Sequence, residues 1–147
     1  MKKSVFIKGA TILSLAGIIV KILGAFFKIP LANMIGDTGM AYFTPSYYIY
    51  SFFLTLATAG IPVAISKLVS ESRTLGNDVQ AQRVFILSSR LMLALGAVSF
   101  AIVFFGAELF ANALQLPEII ISMKSIAPAL LIVPLLASYR GYFQGIH

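Results

Sequence analysis

Thr55-Leu-Ala-Thr-Ala-Gly-Ile-Pro-Val-Ala-Ile-Ser-Lys67 decides how this chain is read. It lies inside an apolar run too long for the core helix of a small soluble domain. Gly60 and Pro62 fall where such a helix should be continuous. Proline has no N–H and crowds the carbonyl four residues back, here that of Thr58. In a bilayer the freed backbone groups need neighbouring helices, hydroxyls or a wet cavity, and Thr55, Thr58 and Ser66 are the nearby hydroxyls. The break has two readings: a kink, ordinary in membrane helices, or the hinge of a carrier's moving part.

Composition agrees with a membrane setting. The 147 residues are 59% hydrophobic and 11% charged, against about 25% charged in a soluble domain. Cysteine is absent, which excludes disulfides and thiolate metal sites. The net charge of +6 raises a nucleic-acid reading. That reading is rejected, because the cations are scattered along apolar segments with no long basic run. The charged start, Met1-Lys-Lys, resembles a signal peptide, but Lys21 and Lys28 interrupt the apolar stretch and no clean cleavage site follows. It is read as a retained first helix.

The spacing predicts an all-α polytopic membrane bundle with spans near residues 10–31, 45–72, 84–105 and 119–137, in one membrane region covering 1–147. In the first span Ser14, Gly17, Lys21, Gly24 and Lys28 recur at three or four residues and share one face. Lys21 lies near mid-span, about 15 Å from either interface. A cation at that depth costs ~2.5–3.5 kcal/mol on insertion scales, so the face should look into protein or a wet cavity. For Lys28, snorkelling to the interface is the competing reading.

Residues 33–41 read as a turn around Gly36-Asp-Thr-Gly39, with Thr44 and Pro45 opening the second helix. Tyr42, Tyr47, Tyr48 and Tyr50 read as an interfacial cluster. Ser51, Thr55, Thr58, Pro62 and Ser66 form a polar stripe that either lines a cavity or joins helices. Gly76 reads as a helix stop, and Asn77 with Gln80 as the next N-cap. Residues 106–117 read as a loop, and Pro128 and Pro134 as interruptions of the fourth span.

Short-loop cations alternate. Lys2, Lys3 and Lys8, then Lys67, Arg73 and Arg83, then Arg140 flank loops around Gly36 and Glu108 that hold none. Both ends are therefore expected on the cytoplasmic side of the cell membrane. Five acidic residues without paired spacing, a single His147, and no phosphate- or dinucleotide-binding glycine motif give no support to an enzyme, a metal or a cofactor. Positive charge within a membrane cavity favours an anionic ligand.

Lys8-Gly-Ala10, Lys21-Ile-Leu-Gly24, Ile29-Pro-Leu-Ala32, Ile35-Gly36 with Gly39-Met40, the whole of Tyr50–Glu71, and Tyr139-Arg-Gly-Tyr-Phe-Gln-Gly145 closely resemble the start of the stage V sporulation protein B-like polysaccharide transporters. These lie in the multidrug/oligosaccharidyl-lipid/polysaccharide exporter superfamily, with its lipid II flippases. The resemblance implies a MATE-like fold of about fourteen helices in two pseudo-symmetric bundles, working by alternating access. This chain matches the first four, so it is expected to be a fragment of the first bundle.

The implied partner is an anionic, pyrophosphate-bearing lipid-linked saccharide in a lipid bilayer. By the resemblance, Lys21 sits where a first-helix cation serves the pyrophosphate, and Lys28 follows less closely. Gly24, Ser51, Thr55, Thr58, Gly60 and Pro62 are the candidate cavity or hinge residues. Two alternatives stand beside this reading: a multidrug or cation antiporter of the same superfamily, and a small non-transporting membrane protein or truncated remnant.

Overall fold

The computed structural model describes the backbone of residues 2–146 and the side chains of residue 11 and residues 14–146. The side chains of Lys2, Lys3 and Lys8, and all of His147, lie outside the described residues. The described chain is all-α, as the composition predicts, with no strand among those residues. Its helices are α1 (Lys2–Thr58), α2 (Ile61–Thr74), α3 (Asp78–Phe105), α4 (Ala107–Leu114), α5 (Ile119–Ile126) and α6 (Ala129–Ile146). Three stretches are long and apolar enough to cross a membrane: Ser14–Thr74, Asp78–Phe105 and Ile119–Ile146. The first is 61 residues long. As a straight helix it would measure about 90 Å, three times a ~30 Å bilayer core, and it is broken twice.

The first break is Gly36, at φ 67° and ψ −176° inside α1. Only glycine occupies that region readily. The sequence predicts a turn over 33–41 and a helix start at Thr44-Pro45. Instead one residue leaves the helix and the chain resumes it at once, with Pro45 inside the helix. The chain divides by packing into two compact units, Met1–Ala41 and Tyr42–His147.

In the first unit the helix stands exposed from Ser14 to Pro30. The second unit has two apolar cores. In one, Tyr50 of α1 meets Val103, Ala107, Ala111, Ile119, Met123, Ala127 and Leu130. In the other, Ile65 and Val69 of α2 meet Ala81 of α3, with Tyr142 and Ile146 packed against them. Tyr50 is thus a core residue and not part of an interfacial cluster. Tyr47 and Tyr48 remain exposed.

The α3–α6, α2–α6 and α2–α3 interfaces are the largest. Glycines set how closely the first two approach. A Cβ on Gly96 of α3 would lie 2.5 Å from the Leu130 carbonyl oxygen. On Gly141 and Gly145 of α6 it would lie 2.7 Å from the Pro62 oxygen and 2.6 Å from the Ser66 oxygen of α2. Gly141-Tyr-Phe-Gln-Gly145 is thus a small-xxx-small face that brings two backbones together, the usual route to helix contact in lipid. Ser89 and Ser138 add a hydroxyl–hydroxyl bond of 3.0 Å across α3 and α6.

The α2–α3 connection follows the sequence reading. Gly76 takes φ 70°. Asn77 N–H donates to the Ser72 oxygen at 2.9 Å and Gly76 N–H to the Arg73 oxygen at 3.0 Å, the paired bonds of a Schellman stop. The Asn77 side chain then accepts from Gln80 N–H at 3.0 Å and caps α3. Arg73 and Asp78 close the turn with a 3.0 Å ion pair.

Further expectations are corrected in the second half of the chain. Residues 107–114, expected as loop, form α4. Their run of Ala, Leu, Glu and Phe is helix-forming, Ala107 and Ala111 face inward four residues apart, and Glu108 sits in the first turn where the helix dipole favours an acid. Of the two prolines in the last span, only Pro128 interrupts, in the gap between α5 and α6. There Leu130 and Leu131 N–H reach back three residues, to Ala127 and Pro128. Pro134 stays inside α6, fully buried beside Gly96. The helix continues to Ile146, past the predicted end near residue 137.

If α2 and α6 meet through glycine, bulk on that face must cost stability. Gly141→Val is expected to destabilise the chain by about 1–3 kcal/mol, the usual range for overpacking. Gly17→Ala, where a Cβ meets nothing within 4 Å, should cost nothing measurable. Unfolding by SDS titration in mixed micelles reads both, and equal midpoints would refute the contact.

Candidate functional site

The predicted site residues fall in both units. Lys21, Gly24 and Lys28 lie on α1 ahead of Gly36, and each is exposed. A Cβ added at Gly17 or Gly24 would meet nothing within 4 Å. One helix face therefore carries two ammonium groups separated by residues too small to shield them. Neither Lys21 nor Lys28 has a carboxylate within 4 Å among the described residues. Such a strip offers mobile N–H donors and bare backbone to an anion.

Ser51, Thr55, Thr58, Gly60 and Pro62 lie in the second unit, at the α1–α2 junction. Gly60 takes φ 72° and ψ −19°, a left-handed residue between two right-handed helices. Pro62 falls in the first turn of α2, where a missing N–H costs no helical bond. The expected crowding of Thr58 is thus relieved by ending α1 at Thr58. Ala59 N–H still reaches the Thr55 oxygen at 2.8 Å, and Ala64 N–H reaches the Gly60 oxygen at 3.1 Å.

The hydroxyls do not serve the freed backbone groups. Thr55 Oγ1 donates to the Ser51 oxygen and Thr58 Oγ1 to the Leu54 oxygen, each at 2.8 Å. Both bonds fall within the preceding turn of their own helix, a habit that bends helices slightly. Ser51 is linked to this network through its carbonyl.

The junction also separates partners. Tyr50, Phe53 and Leu54 pack with a core drawn from the end of α3, α4, α5 and the start of α6, and Ile61 and Ile65 with one drawn from the start of α3 and the end of α6. Gly60 is the point where the chain changes from one to the other. Phe53 stacks edge-on against Phe110 of α4 at 6.2 Å, and buried Ser46, whose Oγ donates to the Tyr42 oxygen at 2.9 Å, lies 3.4 Å from the Ile119 oxygen. These fix the α1 side of the break. The α2 side is fixed by Gly141 and Gly145.

Sequence reasoning missed one charged constellation. Lys124 Nζ of α5 lies 3.7 Å from Glu108 Oε1 of α4 and 6.0 Å from the ring centre of Phe104 of α3. The signal is hidden in the sequence, because a loop over 106–117 gives Glu108 no helix to sit on. No group of three or more metal-binding side chains occurs among the described residues.

Comparison with known proteins adds the decisive observation. The family model for "Polysaccharide biosynthesis protein" matches residues 6–147. The chain belongs to that family. Among its curated relatives from Bacillus subtilis (strain 168), "Lipid II flippase MurJ" is 33% identical over 97% of this chain. "Uncharacterized membrane protein YabM" is 31% identical over 95%, and "Stage V sporulation protein B" is 29% identical over 99%. The chain spans 28%, 26% and 28% of the lengths of these relatives. No solved structure matches it. With three apolar stretches of spanning length and these relatives, it is a multi-pass membrane protein of the polysaccharide biosynthesis family.

The left-handed backbone at Gly60 has a testable cost. No atom lies within 4 Å of an added Cβ there, so Gly60→Ala meets only the conformational penalty, about 1–2 kcal/mol. Gly60→Asn should recover part of it, because asparagine tolerates that region. Thermal unfolding in detergent that ranked Ala at or above Gly would show that the residue is not left-handed.

Proposed function

We propose that this chain supplies the N-terminal membrane region of a transporter that flips a lipid-linked oligosaccharide precursor by alternating access. The observation that carries the reading is the Lys21–Gly24–Lys28 face. It is an exposed cationic strip on an apolar helix, in a family with a relative named a lipid II flippase. An ammonium held near mid-span is costly unless a ligand or water uses it. A pyrophosphate joining a lipid to a sugar supplies the matching charge. Lys21 would hold that group, with Lys28 about two turns further along the helix.

The Gly60 junction would then serve as the flexing point. A left-handed glycine followed by Pro62 confines the change of direction to one peptide unit, and the helices on either side stay anchored to separate cores. Thr55 and Thr58, which donate to the Ser51 and Leu54 oxygens one turn back in their own helix, add no cross-link that would resist bending.

The proposed orientation places the α2–α3 connection in the cytoplasm. Lys67, Arg73 and Arg83 flank it, and Arg140 lies on α6, which packs along α2 and α3. The α4–α5 corner, with Lys124 paired to Glu108, then faces outward.

Two experiments test the proposal. The chain in nanodiscs should bind a polyprenyl pyrophosphate-linked saccharide. Lys21→Gln should weaken that binding roughly tenfold or more, as expected for losing a charge-assisted hydrogen bond of ~1.5–3 kcal/mol, whereas Lys21→Arg should retain it. Unchanged binding by Lys21→Gln would remove the assignment. For orientation, single cysteines at positions 77 and 115 are labelled with an impermeant maleimide on whole cells. Position 115 should react and position 77 should not, and the reverse would invert the topology.

A further inference from the structure

The Lys124 ammonium is half-buried, with 39% of its side chain exposed, in a helix otherwise made of Ile, Met and Ser. It is the one cation between Arg90 and Arg140. Glu108 is its one carboxylate within 4 Å among the described residues, and the pair is loose: 3.7 Å apart, with the glutamate side chain 73% exposed. That separation is beyond hydrogen-bond length. Among the described residues the ammonium donates no hydrogen bond, so its three donors have no fixed acceptor. It stands instead over the Phe104 ring, at the outer limit of a cation–π contact.

The ion pair is not what holds α4 to α5. That corner is closed by Ala107, Ala111, Ile119 and Met123, all fully buried. It is turned by left-handed Gln115, with Gln115 and Leu116 N–H bonded back to Asn112 and Ala111. A long, exposed ion pair adds little to such a corner. Glu108 can therefore leave without unfolding it, and a stronger anion can take its place. The ring of Phe104 and the neighbouring Phe105, which is 78% exposed, give an apolar floor beside the charge.

We infer that Lys124 is a second anion station, which takes the phosphate group of a lipid-linked saccharide in exchange for Glu108. It rests on the flippase reading above and extends it. Lys21 would meet the pyrophosphate within the membrane, and Lys124 would meet it at the proposed outer rim. Glu108 competes for the same ammonium, so it weakens the hold and favours release. No covalent step is involved, only exchange of one anion for another on a fixed cation.

The test uses the 147-residue chain in nanodiscs, with farnesyl pyrophosphate as probe and farnesol as its uncharged control. Binding is read by native mass spectrometry on the Lys21→Gln background, so that the remaining binding reports this station. Each variant is first checked for monodispersity and helical circular dichroism. Lys124→Gln should weaken the residual pyrophosphate binding about fivefold or more, and Glu108→Gln should tighten it by a similar factor. Farnesol binding should follow neither change.

Opposite signs for the two variants cannot come from a structural strap, which either substitution would loosen alike. Equal weakening by both, no effect of either, or complete loss of binding in Lys21→Gln alone would overturn the second station while leaving the flippase reading in place. A wild-type chain that binds no farnesyl pyrophosphate would overturn both.

Discussion

Close approach of helix backbones is the constraint on which the second unit depends. Between helices in lipid there is no hydrophobic gain to collect, because the tails are as apolar as the side chains. What remains is dispersion, which falls off steeply with separation. Gly96, Gly141 and Gly145 remove the atoms that would keep α6 from α3 and α2. With α6 seated between them, Ser89 and Ser138 come within bonding distance, and Pro134 is enclosed against Gly96 of α3. The large apolar side chains left outside, such as Leu87, Phe105 and Ile121, are suited to face lipid.

The second constraint is that each interruption must look after its own backbone. The chain does this differently at each place. Gly36 leaves the helix for one residue and returns. Gly60 turns left-handed and hands over to a proline whose missing donor is not needed. Gly76 and Gln115 end helices with bonds that reach back over the last turn. Pro128 is bridged by bonds spanning three residues. At Gly60 the chain also changes from one core to the other.

Charge is distributed unevenly along the chain. The first unit keeps two cations on an exposed strip. The second keeps Lys67, Arg73 and Arg83 around the α2–α3 connection, and Lys124 near the far end of α3 against a loosely held acid.

Much of this was legible in the residues. The apolar content and spacing required an all-α membrane bundle, and the Gly76-Asn77 cap and the Gly60 break followed from local chemistry, since left-handed backbone and N-caps depend on neighbours within one turn. The string around Tyr50–Glu71 carried the family. Other features depend on residues far apart in sequence. Tyr50 reads as interfacial until α3, α4 and α5 cover it, and Pro134 reads as a breaker until α3 encloses it. The hydroxyls of Thr55 and Thr58 could serve a break or their own turn, and geometry selects the turn. Glu108 and Lys124 lie sixteen positions apart, and only folding 107–114 into a helix sets one beside the other. The sequence by itself determined the solvent, the helical class and the breaks at Gly60 and Gly76, because backbone conformation and transfer into lipid are local properties. Which faces meet, and which charges find partners, only the tertiary structure decided, because both depend on how closely distant backbones can approach.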